Sequence, residues 1–287
     1  MIPLLRSLRP VHWVKNLVVF AGLIFSRHFD RTDDILRSLG VFGVFCALAS
    51  AVYLFNDIRD RDSDRAHPDK QRRPIASGAV AISRAVVVMV ILLAGGMAGA
   101  WLLGPPVFIT VAIYVALNVA YSLGLKRVSL IDVMVVALGF VLRAVAGAEA
   151  INVEISPWLV VCTLLLALFL GFGKRRWELE SLGADATSHR AALAGYTIPL
   201  LDQLTAVTTA ATVVAYSLYT LAPETQAKFG TSQLIWTLPF VLFGVFRYLW
   251  LIHGAHKGGN PTSALLRDWP IVLTAMSWLG TVLWLIA

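Results

Sequence analysis

Apolar residues along this chain come in long runs separated by short polar segments. Nine runs approach the ~20 residues a helix needs to cross a hydrocarbon core, at roughly 12–27, 38–56, 80–103, 106–123, 129–150, 156–173, 203–222, 234–253 and 269–286. The first is the shortest, and it reaches spanning length only if the stretch from Val11 to Asn16 enters the interface. Trp13, Trp101, Trp158, Trp236, Trp269 and Trp284 stand near run ends, where amphipathic rings settle at a membrane surface. Ten-residue alternating segments are missing, which excludes an outer-membrane barrel. The pattern predicts an all-α polytopic membrane protein of nine transmembrane helices, folded as a single domain over residues 1–287.

Composition makes lipid the solvent. Of 287 residues, 58% are hydrophobic and 14% charged, with a mean hydropathy of +0.74; a soluble domain carries about a quarter charged residues. So few charges cannot cover a water-exposed surface. An ordinary soluble enzyme, a disordered chain and a nucleic-acid-binding module are therefore excluded. The net charge of +7 reads instead as Lys and Arg retained in cytoplasmic loops. With the N-terminus inside, eighteen of the 24 Lys and Arg fall in inside segments and four in outside ones, while Arg143 and Arg247 lie within spans. The expected topology is multi-pass in the inner (plasma) membrane, N-terminus cytoplasmic and C-terminus outside. Arg6, Arg9 and Lys15 precede the first run, but no small-residue cleavage site follows it, so a cleaved signal peptide is not expected. Cys46 and Cys162 sit inside apolar runs and read as small buried hydrophobes. His67 and His189 read as solvated loop residues, and the stretch from His256 to Pro261 as a flexible Gly-rich turn.

Charge gathers in the loops after the second and sixth runs, which places the expected active surface on the cytoplasmic side. After the second run the chain reads Asn56-Asp57-Ile58-Arg59-Asp60-Arg61-Asp62-Ser63-Asp64, with the skeleton N-D-x-x-D-x-x-x-D. If the helix continues, Asp57, Asp60 and Asp64 share one face within about 60°. Asn56 borders that face and Asp62 points away. Three carboxylates so placed repel one another unless a cation holds them. Hard oxygen ligands suit Mg²⁺, which commonly bridges carboxylates to substrate phosphates. The competing reading is a solvated loop neutralised by Arg59, Arg61 and Arg65; the apolar run leading straight into the cluster at helical spacing favours the metal. Lys70, Arg72 and Arg73 follow, and arginine forks grip phosphate bidentately.

Elsewhere, Arg143 stands eleven residues after Asp132, about 20° off the same helix face and about 16 Å deeper along the axis. An intramembrane charge faces a cavity or a partner. Arg143 either holds a lipid phosphate or pairs with an acid on another helix. Gly139 and Gly147 lie near that stripe, where small residues admit a close neighbour or a lipid chain. His12, Trp13 and Lys15 form a basic–aromatic collar that serves as a lipid-phosphate entry or as a membrane anchor.

These motifs resemble the UbiA superfamily of intramembrane prenyltransferases. That family has nine spans, N-D-x-x-D-x-x-x-D after the second, and Y-x-x-x-L-K after the fourth, matched here by Tyr121 to Lys126 with Asp132 following. Arg73, Pro74 and Gly78 match the R-P-x-x-x-G that follows the first motif. The resemblance implies helices around a central cavity opening to the cytoplasmic side. Typical members carry a second D-x-x-x-D after span six; this chain has Gly173-Lys174-Arg175-Arg176-Trp177-Glu178-Leu179-Glu180 there. That G-K-R segment, and the opening from Arg9 to Asn16, resemble the decaprenyl-phosphate phosphoribosyltransferase branch.

In that branch the resemblance implies transfer of a 5-phosphoribosyl group from phosphoribosyl pyrophosphate (PRPP) to a polyprenyl phosphate, with Mg²⁺ as cofactor. Asp57, Asp60 and Asp64 are implied as metal ligands and catalytic groups, with Asn56 orienting a metal water or a diphosphate oxygen. Lys15, Arg59, Lys70, Arg72, Arg73, Tyr121, Lys126, Asp132, Arg143, Lys174, Arg175, Arg176 and Glu178 are the implied substrate-binding set. No general base is implied, because a phosphate monoester is already anionic. A homo-oligomer through outer helix faces is compatible with this class. Two alternatives stay open. One is a prenyl-diphosphate-dependent transferase acting on an aromatic or other small acceptor, which would need a second acidic motif. The other is a transporter, whose broken helices would gather polar groups at the bilayer midplane.

Overall fold

Among the described residues, the nine apolar runs become eight helices long and apolar enough to cross a membrane, plus one shorter segment. A computed structural model of the chain describes residues 3–66, 70–183, 190–254 and 267–286. His67, His189 and the turn from His256 to Pro261 lie outside the described residues. Described elements are helical throughout, in the order α1 (Pro3–Leu8), a 3₁₀ stretch (Pro10–Phe20), α2 (Ala21–Phe25), α3 (Thr32–Arg59), α4 (Arg61–Ala66), α5 (Ile82–Leu103), α6 (Pro105–Leu123), α7 (Ile131–Ala150), α8 (Pro157–Leu182), α9 (Ile198–Leu221), α10 (Pro223–Phe229), α11 (Leu238–Gly254) and α12 (Trp269–Ile286).

The first predicted span is the one corrected. It is the Pro10–Phe20 3₁₀ stretch running into the short α2, not a regular membrane helix. A 3₁₀ turn rises about 2.0 Å per residue against about 1.5 Å for an α-helix, so this short segment still extends roughly 30 Å.

The chain divides into two compact units, one of residues 1–123 with 142–155 and one of 124–141 with 156–287. In the first, α3 packs on α5 and on the 3₁₀ stretch, around Val19, Val41, Phe45, Leu48, Val107, Val111 and Tyr114. Glycines set the approach. A methyl at Gly96 would stand 2.7 Å from Leu48, and one at Gly147 would collide with the Val19 carbonyl oxygen. The close neighbour that Gly147 admits is thus backbone. Between α5 and α6 the chain reverses on Gly104 alone, at φ 127°, a region that glycine enters without steric cost.

In the second unit α8 packs along α9, and α11 along α12, around Phe169, Val245, Tyr248, Leu251 and Ile252. Arg247, deep in α11, finds its partner on the next helix: Nε and Nη2 donate to Asp268 at 3.2 and 3.0 Å, and the guanidinium stacks 4.4 Å from the Trp250 ring. Asp268 also caps α12, its Oδ1 accepting from the Ile271 amide at 3.2 Å. The Arg247 hydrogen bonds hold the Asp268 carboxyl below its usual range. A depressed carboxylate contributes stability above its ordinary pKa and loses it as pH falls through the folded value. Asn caps a helix as well as Asp does, so Asp268→Asn should lose only the ion pair with Arg247, up to about 1 kcal/mol near neutrality, and flatten the acid limb. Unfolding temperatures in detergent, from neutral pH down into the carboxylate range, check this; parallel wild-type and mutant curves would refute it.

Candidate functional site

The acidic motif occupies the end of α3. Helical hydrogen bonding carries across the break at Asp60, from the Asp60 amide to the Asn56 carbonyl and from the Asp64 amide to the Asp60 carbonyl, each 2.8 Å. The register of the motif survives, so Asp57 and Asp64 come to one side, with 2% and 3% of their surfaces exposed. What joins them is a guanidinium. Arg73 Nη1 lies 3.0 Å from Asp57 Oδ1 and 2.7 Å from Asp64 Oδ2. Arg9 Nη2 lies 2.6 Å from the same Asp57 oxygen. Two buried carboxylates thus face two arginines.

Local structure explains both arginines. Arg73 opens a folded turn in which Ser77 N bonds Arg73 O and Val80 N bonds Pro74 O, at 2.9 Å each. Gly78, at φ 83°, closes that turn. Ile75 and Val80 anchor it in a cluster with Leu54 and Ala85, and Arg65 Nε ties it to α4 through the Ala76 carbonyl at 2.8 Å. Arg9 adopts a left-handed backbone, φ 54° and ψ 57°. That conformation costs a non-glycine residue about 1–2 kcal/mol. It lays the guanidinium 4.8 Å over the Tyr53 ring and onto Asp57.

Among the described residues no three His, Cys, Asp or Glu side chains gather as a metal site. Arg73 bridges Asp57 and Asp64, while the third aspartate of the motif, Asp60, is half-buried at the break between α3 and α4. Unshared carboxylates repel; the single charge of Arg73 bridges the two, and Arg9 supplies the second positive charge. The donor chemistry nevertheless fits Mg²⁺: Asp57 and Asp64 offer oxygens only, and Asn56 Oδ1 is buried without a hydrogen-bond partner.

The second unit holds the other polar cluster. Asp132 is wholly buried. Its Oδ2 accepts from Arg175 Nε at 2.6 Å and Arg190 Nη2 at 3.1 Å, and its Oδ1 from the Tyr196 hydroxyl at 2.9 Å. Tyr196 in turn accepts from the Leu130 amide at 2.6 Å; burial pushes its hydroxyl above the ordinary pKa, so it stays a donor. Lys174, Arg175 and Arg176 fan out about 100° apart on α8. Arg175 turns to Asp132 and to Glu178 at 2.7 Å. Arg176 turns to Asp202 at 2.6 Å, to Glu180 at 2.8 Å and to the Ile252 carbonyl at 3.1 Å. The two arginines staple α8 to its neighbours, while the Lys174 side chain is 38% exposed, 3.6 Å from Glu178.

Other expected site residues are spread out. Arg59 caps α6, donating to the Ser122 and Leu123 carbonyls at 2.7 and 3.2 Å. Arg72 is exposed, and Lys15, Lys70, Tyr121 and Lys126 are half-buried. Of the two fates expected for Arg143, the geometry adds a third. Its Nε donates to Asn16 Oδ1 at 2.7 Å and its Nη2 to the Tyr114 hydroxyl at 2.9 Å, with the Tyr114 and Phe45 rings 4.8 and 5.6 Å away. Sequence reasoning missed Arg190, Tyr196 and Tyr114, and treated Arg9 only as part of the opening motif; isolated residues on distant segments carry no spacing to reveal them.

The UbiA prenyltransferase family model matches residues 17–194. The decaprenyl-phosphate phosphoribosyltransferase of Mycobacterium tuberculosis is 33% identical over 96% of this chain and 92% of its own length. The enzyme of the same name from Mycolicibacterium smegmatis is 31% identical over 97% and 91%. Among solved structures, a UbiA homolog from Archaeoglobus fulgidus bound to GPP and Mg²⁺ is similar in fold, with a TM-score of 0.76 at 20% identity over 99% of both chains. With eight membrane-length helices among its described residues, the acidic motif at the end of α3 and a family match over more than half its length, this chain is a multi-pass membrane enzyme that belongs to the UbiA prenyltransferase family.

Proposed function

We propose that this protein transfers the 5-phosphoribosyl group of PRPP to a polyprenyl phosphate and releases diphosphate, in an Mg²⁺-dependent reaction. The observation that carries the reading is the end-to-end similarity to relatives named decaprenyl-phosphate phosphoribosyltransferase. The partly exposed Lys174 supports it, since a donor with both a diphosphate and a 5-phosphate asks for cations where a second acidic motif would place carboxylates. The lysine and arginine asymmetry supports a cytoplasmic N-terminus and active surface.

In this reaction a polyprenyl phosphate oxygen forms the bond to the anomeric carbon. The bond from that carbon to diphosphate breaks, and diphosphate leaves with the electron pair. Asp57 and Asp64, with Asp60 and Asn56, would hold Mg²⁺, which when bound supplies charge neutralisation for the departing diphosphate. Arg9 and Arg73 bring cations to the same oxygens, and Arg72 and Lys70 extend that charge. Within the second unit, Lys126 and Lys174 are the lysines we assign to phosphate binding. Asp132, Tyr196 and Glu178 position Arg175 and Arg190. The acceptor is anionic, so no side chain has to remove a proton.

The test is transfer of label from PRPP into the lipid phase by detergent-solubilised protein given polyprenyl phosphate, with Mg²⁺ or with chelator. Mg²⁺-dependent label in lipid is expected. Absence of transfer, with turnover of a prenyl diphosphate and an aromatic acceptor, would replace this reading by the commoner reaction of the family.

A further inference from the structure

Charge balance at the acidic motif carries a consequence for how it loads. Asp57 and Asp64 are almost wholly buried, and their two negative charges meet the two positive charges of Arg9 and Arg73 at 2.6–3.0 Å. A divalent cation added to those four side chains would leave two uncompensated positive charges in a poorly solvated place, and the half-buried Asp60 offsets at most one of them. The Arg73 side chain is 30% exposed, against 2% and 4% for its acidic partners, so it is the member with room to leave. Its backbone stays fixed by the Arg73–Val80 turn, which limits the guanidinium to swinging about one anchored point.

We propose that Arg73 is a competing counter-cation. It and the divalent metal bind the same Asp57 and Asp64 oxygens, one at a time, and Arg73 on release turns to the diphosphate that arrives with the metal. Arg9 stays on Asp57, held by its left-handed backbone and the Tyr53 ring. The inference rests on the metal assignment made above and adds that metal and diphosphate bind as a coupled pair. Either alone meets an unfavourable charge; bound together, their opposite charges largely offset each other. Opposite charges at this range interact strongly even at an effective dielectric constant of about 20, so the coupling should be large.

The measurement is Mn²⁺ binding to the full-length protein in detergent, followed by electron paramagnetic resonance, with and without inorganic diphosphate. In the wild type, saturating diphosphate should tighten Mn²⁺ by at least about tenfold. Arg73→Gln should bind Mn²⁺ alone at least about tenfold more tightly than wild type and lose most of the tightening by diphosphate. Arg73→Lys, which keeps the charge without the fork, should fall between them. The wild-type comparison needs no variant, so a poorly folding glutamine protein does not spare the proposal. Mn²⁺ affinity that ignores both diphosphate and the residue at 73 overturns the exchange and leaves the metal site standing. Absence of Mn²⁺ binding in every protein overturns the metal site and the exchange together, whatever the transfer assay gives.

Discussion

Replacing Asp132 with alanine is expected to destabilise the protein by about 3–5 kcal/mol, the usual consequence of removing one partner from a buried ion pair. Asp132 has no exposed surface, and three donors converge on its two oxygens. Without it, the Arg175 guanidinium, itself 4% exposed, loses one of its two counter-charges among the described residues and keeps only Glu178 at 2.7 Å. Tyr196 loses its acceptor as well, loosening the contact it makes with the Leu130 amide. A loss of that size is a large share of the 5–15 kcal/mol by which domains are usually stable. The readout is the unfolding temperature and the folded yield in detergent. Asp132→Asn keeps the shape and an acceptor oxygen and should lose distinctly less. An alanine variant that unfolds with the wild type would remove Asp132 from its organising role.

Asp64→Asn should behave in the opposite way, losing turnover while keeping the fold. Its partner Arg73 is 30% exposed, so the freed guanidinium can be solvated, and Asp57 still offers it an oxygen at 3.0 Å. Removing one preorganised charge from a reacting centre typically costs about 10²–10³ in rate, and that is the expected fall in Mg²⁺-dependent transfer. The unfolding temperature should stay close to the wild type. The two variants together separate the clusters by kind: one carries stability, the other chemistry. A stable Asp64→Asn protein with undiminished transfer would move the reaction away from the acidic motif.

The contrast between these two aspartates marks where sequence reasoning ran out. Both belong to recognisable motif elements. Asp64 could be placed from spacing, because helical hydrogen bonding persists through Asp60 and three aspartates at helical intervals then share a side. Asp132 was read as a substrate-binding residue, and nothing local distinguishes that from its observed setting. Its partners Arg175, Arg190 and Tyr196 are 43, 58 and 64 residues away. The run Lys174-Arg175-Arg176 reads as one cationic patch, yet successive helix residues diverge by about 100°, and the two arginines are consumed by different neighbours. Arg247 shows the same limit: its acidic partner lies 21 residues on, at the cap of the next helix.

Sequence by itself determined the class of protein, the approximate position of its membrane segments and the motif that leads to the chemistry. Those are local or additive properties: apolar run length, charge scarcity, and residues at helical intervals. Tertiary structure decided which charges are available and which are already used. It put Arg9 and Arg73 on the acidic pair, committed Arg175 and Arg176 to holding helices together, and gave Arg143 an amide and a phenol. In a low-dielectric interior a charge takes the nearest compensating group that packing delivers. Which group that is depends on segments far apart in the chain, so no reading of neighbours along the sequence could have named it.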